Sequence, residues 1–227
     1  GDTVARSALR DAGLDVKYGL GSGLALDVTL NTDFAQSEVD EQQVNLTRFP
    51  LFFPEKRDFF LENSGQFTVS SQGTDRLMDL FFSRRIGLSD SGQPIPIIGG
   101  ARMTGKLGGH NLAVMDIQTD RAFNKPGDNF FVARYSKDLF GRSKVGGLVI
   151  NKETAGASHF NRMIVADTVL APTHSLSFHT FLARTSTPGI SDGQQAFHAR
   201  ALLLNTKWQT FAEYTDIQDH FNAEVGF

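Results

Sequence analysis

The stretch GLALDVTLNTDF, residues 23–34, alternates between the two faces of an extended chain. Its even positions, from Leu24 to Phe34, are mostly apolar, and its odd positions, including Asp27 and Asp33, are mostly polar. A period of two indicates a β-strand. Ordinary strands average about five to six residues, whereas a tilted strand that crosses a membrane needs about 9 to 11. The length of this stretch favours a membrane-spanning strand.

The same alternation recurs in pairs of segments that are separated by short turns. GLGSGL at 19–24 predicts a hairpin turn, because a strand follows it. Longer connections rich in Gly, Pro and Asp join one pair to the next, a pattern typical of an up-and-down barrel. We therefore predict an all-β fold, an antiparallel up-and-down transmembrane β-barrel or a large fragment of one, with residues 1–227 as a single domain. The predicted pairs are 97–107 with 110–119, 130–138 with 142–151, 159–171 with 174–185, and 195–205 with 207–217.

The alternation alone does not say which face of the sheet contacts water. A soluble β-sandwich also alternates, with its polar face toward water. Five arginines in the middle of predicted strands suit a polar lumen, and they also suit a solvated sheet. A soluble β-sandwich binding module therefore stays open as an alternative. These arginines are Arg102, Arg134, Arg162, Arg184 and Arg200.

The composition narrows the class of protein. The formal net charge of −3 offers no electrostatic footprint for nucleic acid. Cysteine is absent, which excludes disulfides and thiolate metal sites. Phe supplies 20 residues against one Trp and three Tyr, and its purely apolar ring suits hydrocarbon or a dry core. No apolar run reaches the roughly 18 to 20 residues of a spanning helix. The first residues lack a signal-peptide pattern, so we expect any export signal to lie outside this sequence.

No motif in the sequence indicates an enzyme, and none indicates a metal or other cofactor. GARMTGK at 100–106 matches a phosphate-binding loop only in part, because Leu107 stands where Ser or Thr is needed and the match lies inside a predicted strand. His179 and His198 have no evident third metal ligand. An envelope hydrolase with catalytic groups on its long loops remains an alternative. An acidic run has oxygen ligands for calcium but not EF-hand spacing, so a solvated loop is favoured: Asp33, Glu38, Asp40 and Glu41.

Ordered motifs between residues 27 and 109 resemble a bacterial family of outer-membrane-type β-barrel domains of unknown function. They are N-x-D-F-x-Q-x-E-x-D from Asn31 to Asp40, VNLTRF at 44–49, FFPEKR-x-FFLE at 52–62, FFSRRIG at 81–87 and GGARMTGKLGG at 99–109. The sequence departs from the family pattern at three positions. Ser37 replaces an aliphatic residue, Asp58 a proline and Asn63 a glycine.

This resemblance implies a location in the outer membrane of a Gram-negative bacterium, with outer-membrane lipid as a partner. Family members typically follow a family-9-like carbohydrate-binding module. The resemblance therefore implies such a module upstream in the full-length protein, and an oligosaccharide as a further partner. It also implies a non-enzymatic role in passage, docking or surface display linked to glycans. On the same ground, the sequence is expected to begin inside the barrel domain.

FPLFFPEKRDFFLEN, residues 49–63, crowds phenylalanines around a run of three charges. It lies in a long irregular stretch, 35–96, and loops longer than about 12 to 15 residues are usually functional or disordered. We expect an infolded plug whose charges pair with each other or with lumen charges, because buried charges need partners. The alternative is one more hairpin that turns at 55–57. The expected network comprises Asp27, Asp33, Glu55, Lys56, Arg57, Glu62, Arg84, Arg85, Arg102 and Arg134.

The final residues, FNAEVGF at 221–227, are expected to form a strand, because Phe221, Val225 and Phe227 share one face. This strand is either an ordinary one that is cut short or the aromatic-ended assembly signal of outer-membrane barrels.

Overall fold

A computed structural model describes residues 13–31, 54–69, 78–89, 93–156 and 158–226. Ten strands form a single antiparallel sheet, in which each strand pairs with its neighbours along the chain. The predicted all-β, up-and-down arrangement is therefore confirmed. Within the described ranges, β1 and β10 pair with one neighbour each and not with one another. The strands are β1 Leu14–Leu20, β2 Leu24–Leu30, β3 Ile97–Leu107, β4 His110–Thr119, β5 Asp128–Asp138, β6 Lys144–Thr154, β7 Phe160–Leu170, β8 Leu176–Ser186, β9 Gln195–Leu204 and β10 Gln209–Ile217.

The predicted strands appear within a few residues of their expected bounds. β3 and β4 begin and end where the sequence predicted, and the predicted turn at 19–24 joins β1 to β2. β2 ends at Leu30, earlier than the alternation suggested, and residues 32–34 lie outside the described ranges. The sequence prediction omitted β1, although its seven residues, LDVKYGL, alternate in the same way.

The sheet has an exposed, mostly apolar face and a covered face on which apolar core residues are mixed with charged and polar ones. Directly paired residues share a face, so the register assigns each side chain to one of the two. On β7, Ile164 is 65% exposed, whereas its neighbour Val165 is 2% exposed. We call the exposed side the outer face and the covered side the inner face. Large apolar residues on the outer face include Leu14, Val16, Tyr18, Leu30, Tyr135, Val149, Ile164, Leu182, Phe197 and Tyr214.

Short helical segments from the connection between β2 and β3 cover the inner face. They are α1 Asp58–Leu61 and two 3-10 turns, Ser64–Phe67 and Ser83–Arg85. Phe60, Phe67 and Ile86 from this connection pack in one buried cluster with inner residues of β4 to β9. Because residues 58–61 are helical, the alternative of a further hairpin turning at 55–57 is wrong. No helix in the described ranges is long and apolar enough to cross a membrane.

The C-terminal residues do not form the strand that the sequence predicted. After β10 the chain turns back, and residues 218–226 contain no strand. Val225 is 1% exposed in the core cluster, because the tail folds onto the inner face instead of adding to the sheet edge. The alternation of apolar and polar residues at 221–227 was too short to distinguish a strand from a tail that folds onto the inner face. Phe227 lies outside the described residues.

A buried ion pair crosses the inner face between β5 and β7. Arg134 binds Asp167 with both guanidinium Nη atoms, and the Nη2–Oδ2 distance is 2.8 Å. Both side chains are almost fully buried. The guanidinium passes over Gly146 of β6, where a Cβ atom would lie 2.8 and 2.9 Å from the two Nη atoms. A side chain at position 146 would therefore collide with the pair.

We expect Gly146→Ala to destabilise the fold by about 1–3 kcal/mol, because the buried pair must shift to admit the methyl group. Thermal unfolding of the purified protein measures the change. Gly19→Ala is the matched control, because Gly19 also lies in a strand but a Cβ atom there would have no heavy atom within 4 Å. Equal unfolding temperatures for the two variants would contradict this account of Gly146.

Candidate functional site

The candidate site is the contact between the inner face and residues 54–69 and 78–89, which we call the plug. Side chains of the plug supply aromatic core residues, and its backbone supplies carbonyl groups that accept hydrogen bonds from the sheet. Charged residues lie next to these aromatic residues and also among the donors to these carbonyl groups. The site is therefore a docking surface on the inner face of the sheet.

Arg102 of β3 is the central anchor of the plug. It is 2% exposed, and its Nη2 atom lies 2.7 Å from Oδ2 of Asp27 on β2. Its Nη1 atom donates to the backbone carbonyl groups of Phe59 and Glu62 in the plug. The guanidinium carbon also lies 5.0 Å from the centre of the Phe59 ring. One buried cation thus joins two strands of the sheet to the plug.

Side chains on both sides add to this anchor. Lys17 of β1 forms an ion pair with Glu62 of the plug. Asn63 adopts a left-handed backbone, with φ of 54°, and its amide nitrogen donates to the Thr104 hydroxyl group at 3.1 Å. Glycine and asparagine are the residues that most readily adopt this conformation. Asparagine at position 63, where the sequence resemblance predicted glycine, therefore keeps the turn and adds a hydrogen bond to the sheet.

A second cluster of contacts, around Arg57, holds the plug together internally. Arg57 pairs with Glu55, at 2.7 Å between Nη2 and Oε2, and both side chains are 9% exposed. The guanidinium also donates to the backbone carbonyl groups of Ser83 and Ile86, at 2.9 and 2.7 Å. It lies 4.1 Å from the centre of the Phe60 ring. These bonds tie residues 54–69 to residues 78–89.

Burial alone would raise the pKa of Glu55, because it penalises the charged carboxylate. Hydrogen bonds from Arg57, and the charge of that residue, outweigh this effect and hold the pKa below its ordinary value. The hydroxyl group of Ser83 donates to the same carboxylate at 2.8 Å. A lowered carboxyl pKa means that the ion pair stabilises the fold above the ordinary carboxyl range and is lost as pH falls through the lowered pKa.

The plug continues into the C-terminal tail. The backbone amide of Phe82 donates to the Val225 carbonyl group at 2.7 Å, and Nε of Arg85 donates to the Gly226 carbonyl group at 3.2 Å. On the other side of the plug, Nη1 of Arg84 donates to the Pro54 carbonyl group at 2.8 Å. The plug and the tail are therefore hydrogen-bonded into one layer.

The tail is fixed in turn to β6, β7 and β8. Lys152 binds Glu224 at 2.8 Å, and the amide nitrogen of Asn161 donates to the Asn222 carbonyl group at 2.9 Å. The backbone amide of Asn222 donates to the Thr185 hydroxyl group at 3.2 Å. Burial acts to raise the pKa of Glu224, but the hydrogen bond and charge of Lys152 lower it overall. The layer is thus attached to β1–β3 at one end and to β6–β8 at the other.

The structure places five of the ten residues in the network expected from sequence in two separate clusters of charges. Asp27, Glu62 and Arg102 meet at the central anchor, and Glu55 pairs with Arg57. Arg84 and Arg85 each donate to a backbone carbonyl group. Lys56 is an exposed residue of the plug, and Arg134 pairs with Asp167. Asp33 lies outside the described residues, as do Glu38, Asp40 and Glu41.

Sequence reasoning missed several partners in these contacts. Lys17, Asp167 and Glu224 carry charges that would have qualified them, but only the strand register and the path of the tail reveal their partners. Asn63 and Gln66 act through single amide groups, and Gln66 accepts a hydrogen bond from the Gly105 backbone at 3.1 Å. The expected signal for such contacts is a polar residue within a helical turn, which is too common to be informative.

The described residues include no group of three or more side chains placed to hold a metal ion.

His198 stacks on Phe181 and approaches the Thr215 hydroxyl group at 2.9 Å, within the inner face. A cavity of about 390 Å³ between the plug and the sheet is lined by Phe60, Phe67, Arg102 and Met115, among others. Arg102 and Met115 of the sheet, together with the plug's own phenylalanines, can therefore hold the plug in position.

A family model described as a domain of unknown function (DUF5916) matches residues 3–98. The matched region contains β1, β2 and the plug, and it ends at the start of β3. Searches of curated proteins and of solved structures found no significant match. The residues that supply most of the central anchor thus fall inside the region that the family model describes, with Arg102 just beyond it.

We expect Arg102→Met to cost about 3–5 kcal/mol, because it leaves the buried Asp27 carboxylate without its partner. It also removes the donors to two plug carbonyl groups, so trypsin should cleave faster after Lys56 and Arg57. Thermal unfolding and limited proteolysis measure the two effects.

Arg162→Met is the control for this prediction, because the Arg162–Glu153 pair is about half exposed on the outer face. Exposed pairs contribute about 0–1 kcal/mol. Unchanged stability and unchanged cleavage in Arg102→Met would show that the plug does not depend on this anchor.

Proposed function

We propose that this chain forms the wall and plug of an outer-membrane β-barrel in a Gram-negative bacterium, and that its role is non-enzymatic passage or docking at the cell surface. The apolar outer face would contact lipid. The inner face, with its charged pairs, would form the lumen, and the plug would close it. The single observation that carries the proposal is an exposed apolar outer face on a sheet that buries charged pairs on its inner face.

This arrangement is unusual for a sheet in water. Soluble sheets usually bury an apolar face and expose a polar one. Here the covered face buries apolar residues such as Val132 and Leu148 together with the charged pairs of Arg102 and Arg134, while Ile164 and Tyr214 on the outer face are more than 60% exposed. Membrane barrels require this arrangement, since hydrocarbon accepts apolar side chains and the lumen accepts charges.

The two ends of the strands differ in the residues that they carry on the outer face. Near the short turns, exposed aromatic rings are frequent, among them Tyr135, Phe140 and Trp208. Barrels carry such aromatic girdles at the membrane–water interface. Near the long connections, the outer face becomes polar, with residues such as Asp116, Asn151, Glu153, Arg162 and Gln195. The apolar band lies between these two borders.

The plug gives the proposed barrel a closed resting state. It is attached through buried charges that are satisfied by hydrogen bonds, and through aromatic residues in the core. Movement of the plug would break these contacts but leave every strand pair of the sheet intact, whereas movement of the wall would break strand pairing. We therefore assign any opening of the lumen to movement of the plug.

The first experiment compares two arginine substitutions on the outer face, Ile164→Arg in the apolar band and Gln195→Arg at its polar border. An arginine at the bilayer midplane costs about 2–4 kcal/mol, and near the interface about 0–1. Ile164→Arg should therefore impair assembly, whereas Gln195→Arg should not. Outer-membrane fractionation and heat-dependent gel mobility of the full-length protein measure assembly. Both positions are exposed in the isolated sheet, so equal, harmless effects would indicate that the face meets water.

The second experiment measures conductance of the full-length protein in planar lipid bilayers. Arg102→Met should raise the conductance above that of the unsubstituted protein, because the plug loses its central anchor. Arg162→Met should leave it unchanged. A conductance that is the same for all three folded proteins would remove the plug from any role in passage.

A further inference from the structure

A groove of about 850 Å³ opens at the end of the sheet that carries the long connections. One wall is the loop between β4 and β5, residues 120–127, and the opposite wall is the tail at residues 222–224. The floor includes Lys152 and Thr154 at the end of β6. Arg85, Leu88 and Ser89 of the plug, with Ile95, also line the groove, so four parts of the chain form it. None of the lining residues belongs to the central anchor around Arg102.

The charges in the groove balance and bind one another. Lys152 binds Glu224 at 2.8 Å and lies 3.7 Å from Asp128. Nε2 of His159 lies 3.1 Å from Glu224, and the Thr154 hydroxyl group donates to Asp128 at 2.6 Å. Three cationic side chains, Arg85, Lys125 and Lys152, face three carboxylates, Asp120, Asp128 and Glu224. The groove therefore offers fixed donors and acceptors with little net field.

Phe123 stands at the rim of this groove in a strained conformation. Its φ is 52°, a left-handed value that bulky residues rarely adopt, and its side chain is 61% exposed. Phe123 and Asn124 are the central residues of a tight turn, which is closed by two backbone hydrogen bonds between Ala122 and Lys125. Asparagine and glycine are the residues that suit such a turn. The Phe123 side chain is exposed, so its burial does not offset the strain of its backbone. The turn therefore places an exposed aromatic ring at the rim of the groove.

We propose that this groove binds a neutral oligosaccharide, with Phe123 as the stacking platform. A sugar ring has an apolar C–H face that packs on an aromatic ring, and hydroxyl groups at its edge that need both donors and acceptors. The groove presents both features side by side. This inference rests on the proposed function only in taking this end of the sheet as the mouth that faces outward.

Other classes of ligand fit the groove less well. A phosphate or a nucleotide needs an excess of cationic groups, which the carboxylates here cancel. A free metal cation needs carboxylates that are not already neutralised, whereas Lys152 and His159 occupy Glu224. An apolar ligand would leave the polar groups of the groove unsatisfied. A neutral ligand with many hydroxyl groups satisfies the groove without disturbing its ion pairs.

Isothermal titration of the full-length, detergent-solubilised protein with maltohexaose, cellohexaose and xylohexaose tests the proposal. The unsubstituted protein should bind at least one of them, and Phe123→Gly should weaken that binding by about tenfold or more. Glycine tolerates the left-handed turn, so this variant should unfold at the same or a higher temperature. Phe140→Ala is the matched control, since Phe140 is 60% exposed but lies in the turn between β5 and β6, at the opposite end of the sheet.

Two results would overturn the inference. One is the absence of binding to all three oligosaccharides by protein that shows heat-dependent gel mobility. The other is equal weakening, or no weakening, in Phe123→Gly and Phe140→Ala. Both leave the proposed barrel intact, because gel mobility and conductance are measured separately. If instead the protein binds an oligosaccharide in the expected way but remains soluble without detergent, the barrel fails and the binding site stands.

Discussion

A guanidinium buried between a sheet and the segment that covers it is the constraint on which this structure depends. Arg102 cannot be removed from water without partners, because an unpaired buried charge costs several kcal/mol. Asp27 supplies a carboxylate from the neighbouring strand, and the backbone of the plug supplies two carbonyl groups at Phe59 and Glu62. Neither set satisfies all the donors alone. Docking of the plug and formation of the β2–β3 pair are therefore energetically coupled.

The same requirement explains why so many polar residues point toward the covered face. The plug and the tail form one hydrogen-bonded layer, fixed at one end by Arg102 and at the other by Lys152 and Asn161. Once this layer occupies the inner face, the sheet has no second layer in the described residues to cover its outer face. A large apolar surface is left exposed, and a soluble monomer rarely tolerates such a surface. In the proposed barrel, contact with lipid would remove this cost, so the outer face and the plug belong to one proposal.

The period-two pattern predicted the strands well, because each strand separates an apolar face from a polar one along its own length. β3 and β4 were predicted to the residue. The sequence does not give the register in which neighbouring strands pair. The ion pair between Arg134 and Asp167 therefore could not be predicted, although both residues lie in predicted strands. It also misjudged the tail, where Val225 is apolar because it packs on the plug. For the candidate site, the crowded phenylalanines and charges of residues 49–63 indicated an infolded segment, but the backbone carbonyl partners of Arg102 carry no signature in side-chain identity.

The environment of the outer face can be measured by site-directed spin labelling, because these 227 residues contain no cysteine and any cysteine elsewhere in the full-length protein can be replaced by serine. Single cysteines are introduced in turn along β7, Phe160–Leu170, and spin-labelled in the full-length protein in lipid vesicles. Collision with oxygen, which concentrates in hydrocarbon, is then compared with collision with a water-soluble nickel reagent. The account predicts an alternation of period two, with oxygen favoured at 164, 166 and 170 and both reagents excluded at 163, 165 and 167. Preference for the nickel reagent at 164 and 166 would mean that the apolar face meets water, and it would contradict the account.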